Sequence, residues 1–390
     1  MTTRVLPQIQ HPNRSDLQKL IALSAEGLIP MFDSEKRVFC QRMVSNGKGL
    51  IRVGISYRYT IITLLGLHRL RVAGLPLPFE IQPIIEHLLQ DTIWLENLGD
   101  LGLLLWLCAL TSPDRLPGFC SHHALESAVN RYRDGRERRT MELSWFLSGL
   151  SHAVLAEPKR CHALTNLAHS TYSVLRGNQG QHGVFGHQHQ SASVAGLLRC
   201  RIGSFADQVY PIYAMALYSQ TFQNKESLSI ASACAGAICR AQGPLGQWWW
   251  HYDSKTGNVV GKYPVYSVHQ HGMGPMALFA LGEAGQRDFT REIYRGLNWI
   301  YGANELHTDM QDSSARVIWR CIRPAKSSMY YSEALSLLKA GTNGRTPRGL
   351  STLYECWPYE LGWLLYAFAS RIMEQDYNSS SIRQVSQSKD

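Results

Sequence analysis

A chain of 390 residues and 44.0 kDa, 45% hydrophobic and only 18% charged, can bury about three-quarters of the surface its unfolded form exposes. Such a composition excludes collagen-like, disordered and disulfide-scaffold classes and leaves a globular enzyme or a large binding module. The formal charge of +9 favours an anionic partner, but the basic residues fall in short mixed clusters without a recognition helix, zinc finger or RNA-binding motif, which excludes nucleic acid as an expected partner.

In chain order, residues 1–16 (MTTRVLPQIQHPNRSD) contain no apolar core of a signal peptide. Helical periodicity then dominates. Helices are predicted over 15–28, 50–72, 79–91, 98–110, 122–133, 139–155, 160–176, 205–222, 226–241, 269–283, 288–302, 310–321, 328–340 and 356–373. No segment alternates apolar and polar residues for long, so an extensive sheet is not expected. The most apolar run, Leu101 to Leu110, is about half of what a bilayer crossing needs. Residues 375–390 are polar and Ser-rich and read as a disordered tail after a single domain over 1–374. Nine cysteines, an odd number without CxxC spacing, indicate free thiols in a reducing compartment and hence a cytoplasmic protein.

The helices are of two kinds. One is mixed in polarity, as in Ala124 to Arg133. The other is apolar nearly all round and headed by an acid: Asp100-Leu-Gly-Leu-Leu-Leu-Trp106, Glu142-Leu-Ser-Trp-Phe-Leu147, Glu360-Leu-Gly-Trp-Leu-Leu-Tyr366 and, more loosely, Asp207-Gln-Val-Tyr-Pro-Ile-Tyr213. An acid at a helix start is stabilised by the dipole and the free N–H groups, and a helix apolar on all sides must be surrounded by others. Inner helices starting near residues 50, 98, 141, 205, 269 and 358 therefore predict an all-α ring of six helical hairpins, an (α/α)6 toroid, with an aromatic loop and a short β-hairpin at its mouth.

A repeat supports this. Leu175-x3-Gln179-x3-Gly183-x-Phe185 recurs 63 residues later as Ile238-x3-Gln242-x3-Gly246-x-Trp248, and a degenerate third copy is Ile300-x3-Asn304-x3-Thr308-x-Met310. Gln can satisfy backbone groups at a helix terminus, Gly permits a tight turn, and the aromatic plugs the gap between hairpins. The pattern resembles the QW motif of terpenoid-cyclase and prenyltransferase toroids over roughly residues 170–310. The D-x-D-D and D-D-x-x-D signatures of those cyclases are absent.

Candidate chemistry gathers after the second copy. Trp248, Trp249 and Trp250 offer faces for stacking on sugars, isoprenoid carbons or cations, and Asp253-Ser-Lys-Thr-Gly257 reads as a turn between two short strands. Tyr263, Tyr266, His269 and His271 follow at the start of the fifth inner helix, while His182, His187 and His189 occupy the equivalent loop before the fourth. Loops at the same end of successive inner helices converge on the toroid's mouth, where His and Tyr can move protons near neutral pH. Asp207 and Glu360 are their candidate acid partners, and Glu142 and Asp100 stand at equivalent helix starts, the latter read chiefly as a cap. Arg58 is either a clamp for a substrate carboxylate or phosphate, or a buried cation paired with Glu360 across the closing hairpins. No HExxH or paired-Cys site is present, so neither metal nor other cofactor is expected.

Tyr266-Ser-Val-His-Gln-His-Gly272 also resembles the Tyr-Ser-…-Gln-Gly stretch in the helical domain of glucuronyl C5-epimerases, departing by one residue in spacing and by its two histidines. Together with the toroid pattern, this places the chain beside six-hairpin glycosidases, sugar epimerases and uronate lyases. The resemblance implies a carbohydrate-active enzyme that takes a small-molecule or oligosaccharide substrate, anionic ones included, by hydrolysis, elimination or epimerisation. A cyclase lacking D-x-D-D and a non-catalytic ligand-binding toroid are the alternatives.

Overall fold

The computed structural model describes residues 13–90, 94–95, 97–120, 139–159, 163–188, 200–285, 287–325 and 349–372. Six helices form a closed inner ring: α2 (Tyr57–Val72), α4 (Leu98–Thr111), α6 (Thr140–Ala156), α8 (Ala206–Phe222), α10 (Gly274–Gly285, entered through a π-helical turn His269–Met273) and α12 (Pro358–Phe368). Each packs on the next, and α12 returns to α2. The acid-headed apolar segments are these inner helices, as expected from burial on every side. In α4, Leu98 through Ala109 are all buried.

Outside the ring, α1 (Arg14–Gly27) packs on α12, α7 (Ala163–Arg176) on α6, α9 (Lys225–Ala241) on α8 and α10, and α11 (Thr290–Ile300) on the π turn and α10. Helices α3 (Gln82–Gln90) and α5 (Leu116–Cys120) complete those in the described residues. The expected helices over 122–133 and 328–340, and the tail, lie outside the described residues. Inner helices approach closely where both present glycine. A Cβ on Gly66 of α2 would stand 2.2 Å from the Gly362 carbonyl oxygen of α12, and one on Gly149 of α6 would stand 2.1 Å from that of Gly102 on α4.

The repeat acts as mechanical bracing. Gln179 Nε2 donates to the carbonyls of Gly183 (2.8 Å) and Ile230 (3.0 Å), the latter on α9. One hairpin later, Gln242 Nε2 donates to Gly246 (3.0 Å) and to Glu292 of α11 (2.9 Å). Asn304 keeps the local half, to Thr308 at 2.6 Å, and its second bond turns back to the Trp299 carbonyl of α11 (2.9 Å) instead of reaching a following helix. Gly183 and Gly246 turn the chain at φ near +90°, where a side chain would be strained. The plugs Phe185, Trp248 and Met310 are fully buried. The bracing extends into the ring by a pair that the sequence reading missed. Gln208 of α8 accepts from the Phe185 N–H (2.7 Å) and donates to its carbonyl (2.9 Å), while Gln270 accepts from the Trp248 N–H (3.2 Å).

Short strands cluster where chain segments enter the inner helices, and here two expectations are corrected. Residues 50–55 are not the first turns of a helix: β1 (Phe32–Asp33) pairs with β2 (Val38–Ser45), β2 and β3 (Leu50–Ile55) form an antiparallel hairpin, and α2 begins only after the cap at Ser56, whose side chain accepts from the Tyr59 N–H. Residues 310–321 are not helical: β8 (Gln311–Asp312), β9 (Val317–Ile318) and β10 (Cys321–Pro324) replace the predicted helix. β10 pairs with β7 (Val265–Tyr266) and β11 (Leu350–Leu353). The expected mouth hairpin is present as β5 (His251–Asp253) and β6 (Val259–Gly261), extended by β4 (Ile202–Ser204). β12 (Glu355–Cys356) pairs with β2. The strands carry Ser204, Tyr266 and Arg320 toward the mouth, while Val38, Phe39, Val317 and Ile318 join the hydrophobic core.

Candidate active site

A cavity of about 240 Å³ opens at the N-terminal ends of the inner helices. Arg58, Tyr59 and Ile62 line it from α2, Met141 and Trp145 from α6, Ala206 and Tyr210 from α8, and Tyr359 from α12. The strands supply the rest. The β10–β7 pairing, with the Ser267 N–H bonded to the Arg320 carbonyl at 2.9 Å, brings Arg320 beside Tyr266 and His269. The β4–β5 pairing, with the Phe205 N–H bonded to the Trp250 carbonyl at 2.8 Å, brings Trp250 beside Ser204. The walls are thus aromatic, with two guanidiniums and one imidazole among them.

All four acids at inner-helix starts are buried, and each has a basic partner. Arg58 Nε and Nη2 hold Asp100 in a bidentate pair at 2.5 and 3.0 Å. Arg139 Nη1 donates to Glu142 at 2.9 Å, His187 Nδ1 lies 3.3 Å from Asp207 Oδ2, and Arg320 pairs with Glu360. The expected pairing of Arg58 with Glu360 is therefore corrected. Asp100 of α4 captures Arg58, while β10 delivers Arg320 to Glu360, an element that the helical reading of 310–321 had hidden. The Arg320 guanidinium lies 3.6 Å from the Trp357 ring centroid and 5.1 Å from that of Tyr266, a cation–π sandwich that fixes it in the wall.

Electrostatics differ among these groups. Burial pushes the Glu360 carboxyl up to about 7, against the downward pull of Arg320. Burial holds the His269 imidazole down at about 3, with Arg320 adding to the effect, so His269 is neutral at physiological pH. Asp207 Oδ2 accepts from the Ser204 N–H (2.9 Å) and hydroxyl (3.0 Å), whereas its Oδ1 is buried with no hydrogen-bond partner among the described residues.

The structure distributes the sequence candidates unevenly. Arg58, Trp250, Tyr266 and His269 line the cavity; Glu142, Asp207, His187 and Glu360 stand in the ring of pairs just described. Tyr263 instead donates to Glu305 (3.1 Å), and Trp249 Nε1 donates to the Ala241 carbonyl (2.8 Å). Trp248 is a plug stacked on Phe205 at 5.7 Å. His271 is fully buried, with neither ring nitrogen bonded among the described residues. His189 lies outside the described residues. Among the described residues no group of three His, Cys, Asp or Glu is placed to hold a metal ion, and no helix is long and apolar enough to cross a membrane.

Sequence reasoning missed Arg320, Tyr59, Trp145, Tyr210 and Tyr359. Aromatic residues adjoining the helix-head charges, as in Tyr57-Arg-Tyr59 and Trp357-Pro-Tyr359-Glu360, were the available signal. Arg320 had a weaker one, a single cation inside the apolar run Val317 to Ile322.

The sequence matches no family model and no curated protein. Solved structures match over nearly the whole chain. A protein from Salmonella enterica serovar Paratyphi A, described as a possible member of glycoside hydrolase family 105, has a TM-score of 0.59 at 11% identity, covering 96% of this chain and 100% of that one. The unsaturated glucuronyl hydrolase of Streptococcus agalactiae has a TM-score of 0.56 at 11% identity over 95% and 97%. A glycosyl hydrolase family 88 protein from Bacteroides vulgatus has a TM-score of 0.55 at 9% identity over 93% and 99%. These similarities establish the six-hairpin toroid fold, and they lend no support to the resemblance to terpenoid cyclases. In architecture the chain is an α/α toroid of the kind found in these glycoside hydrolases.

Proposed function

We propose that the chain is a glycoside hydrolase that releases a uronate residue from an acidic glycan. The observation that carries this reading is the cavity itself: aromatic walls, two guanidiniums, and buried acids around the rim. Trp145, Tyr210 and Trp250 offer faces to a sugar ring. Arg58 and Arg320 attract the uronate carboxylate, both while retaining their carboxylate partners. Glycoside hydrolysis needs one carboxyl to give a proton to the leaving oxygen and another group to activate water. Asp207 is assigned to proton transfer, because its Oδ1 has no partner among the described residues while Ser204 and His187 orient Oδ2. Asp100 and Glu142 are the candidates for the second carboxylate, and Tyr266 and neutral His269 orient the substrate by hydrogen bonds. The fold neighbours whose names specify unsaturated glucuronyl residues support an unsaturated uronide as the first substrate to try. A reducing, cytoplasmic setting fits the free thiols of the described cysteines.

The test is turnover of unsaturated and saturated uronyl disaccharides, followed by mass spectrometry and by the ultraviolet absorbance of the ring double bond. Hydrolysis adds one water to the disaccharide mass and yields two sugars, whereas epimerisation leaves the mass unchanged and elimination creates a new double bond. Asp207→Asn should lower kcat about 100-fold or more while the protein stays folded. A folded wild type inert toward every uronide would refute the function, and an Asp207→Asn enzyme as fast as wild type would refute the assignment.

A further inference from the structure

The opposite end of the ring, where the inner helices finish, holds a second cavity of about 140 Å³. It shares no lining residue with the first. Between them lies an aromatic layer. Trp106 is fully buried and stacks on Tyr213 (4.7 Å, 22°) and His152 (5.1 Å, 19°), with Trp363 tilted beside it at 5.7 Å. Trp363 Nε1 donates in turn to the Tyr210 hydroxyl on the side of the first cavity (3.0 Å). The second cavity is therefore a separate space.

Its walls carry an unbalanced charge. Arg69, from the last turns of α2, lies 4.6 Å over the Tyr366 ring and donates from Nη2 to the Tyr366 hydroxyl at 3.1 Å. No carboxylate pairs with it among the described residues, and its Nε is buried with no hydrogen-bond partner among them. The other cation, Arg371, pairs with Glu283, the one carboxylate among the described residues of the lining. Burial and the Arg69 charge hold His152 neutral, its pKa near 3. The hydroxyls are also accounted for: Tyr366 and Tyr213 are 2.7 Å apart, and Tyr213 is 3.0 Å from His152 Nε2. With Tyr366 donating to Tyr213 and Tyr213 to His152, each hydroxyl accepts and donates once. None of these neutral groups offsets Arg69, so the described residues of the lining carry one net positive charge. A largely buried guanidinium without a counter-ion is costly, and the volume exceeds what a few waters need.

We propose that this far mouth is a second ligand site that takes a small organic monoanion, its carboxylate docked on Arg69. One net charge calls for one negative charge, and a flat carboxylate suits the edge of a guanidinium already stacked on a ring. Phe279, Met276 and Leu217, also in the lining, receive a short apolar tail. Nothing in this assignment depends on the proposed hydrolysis.

The test is binding to the full chain by calorimetry, with acetate, butyrate, inorganic phosphate and chloride as probes at matched ionic strength. Saturable binding of the carboxylates, tighter for butyrate than acetate, is expected, weakened about tenfold or more in Arg69→Gln. Arg58→Gln, at the first cavity, should leave that binding intact. Because Arg69→Gln also removes a packing contact, a second readout uses wild type alone: the NMR resonance of the Arg69 Nε–H should move with butyrate and not with chloride. An unmoved resonance, preference for phosphate, or carboxylate binding unchanged in folded Arg69→Gln would each overturn the site and leave Arg69 a structural clamp on Tyr366.

Discussion

His271 offers a sharp test of how burial shapes this protein. It lies in the π turn leading into α10, fully buried, and neither ring nitrogen has a partner among the described residues. Burial lowers its pKa from 6.5 to about 3. The neutral ring is thus favoured in the folded state, while the unfolded chain takes up a proton as pH falls below 6.5. The sign follows: stability is complete above pH 6.5 and is lost as pH drops toward 3. From the two pKa values, the loss from this residue alone is about 2 kcal/mol at pH 5 and about 3 kcal/mol at pH 4. His271→Leu, close in volume, removes both the titration and two unsatisfied polar atoms. At pH 7 it should be neutral or stabilising by about 1 kcal/mol, and its advantage over wild type should grow by about 2 kcal/mol on going to pH 5. The assay is urea unfolding followed by circular dichroism at pH 5, 6 and 7. A variant less stable than wild type at pH 7, with the same pH dependence, would refute the reasoning and mean that the ring is held by a polar partner.

Glu360 should show the opposite slope. Its folded pKa is raised from 4.5 to about 7, so its contribution is complete below pH 4.5 and is lost as pH rises through 7, about 3 kcal/mol in all; the difference between wild type and Glu360→Gln should change by about 2 kcal/mol between pH 5 and pH 7 of the same urea series, and a pH-independent difference would contradict the raised pKa. At the ring closure, Gly66→Ala places a Cβ 2.2 Å from the Gly362 carbonyl oxygen, forcing α2 and α12 apart at a cost of about 3 kcal/mol or more. Gly118→Ala in α5, where a Cβ meets nothing within 4 Å among the described residues, is the control, and its thermal midpoint should hold or rise slightly.

How much was legible in advance depended on the range of the interaction. The inner helices were readable because a segment apolar on every face can be stable in water only when surrounded, and an acid at its head marks where it starts. Gln179 and Gln242 were readable because the same local bond, from the side chain to the carbonyl four residues on, had to be made twice. Gln208 and Gln270, which grip the plugs from the ring, stand 62 residues apart and carry no local signature, so that half of the bracing went unread. The 310–321 segment misled because a short apolar run such as Val317 to Ile322 has no period long enough to separate strand from helix; pairing with Tyr266 and Leu353 across the chain decides it. The site suffered most from the same limit. Sequence determined that four acids would head inner helices, and of the His, Tyr and Trp candidates it expected at one mouth, Trp250, Tyr266 and His269 line the cavity. Only the tertiary structure decided that Arg58 belongs to Asp100 and Arg320 to Glu360, that His269 lines the cavity while His271 is buried without a partner among the described residues, and that Arg69 at the far end stands without a carboxylate among them. Helix formation follows from neighbours a few residues apart, whereas pairs such as Arg58–Asp100 and Arg320–Glu360 are set by which distant segments the closed ring brings together.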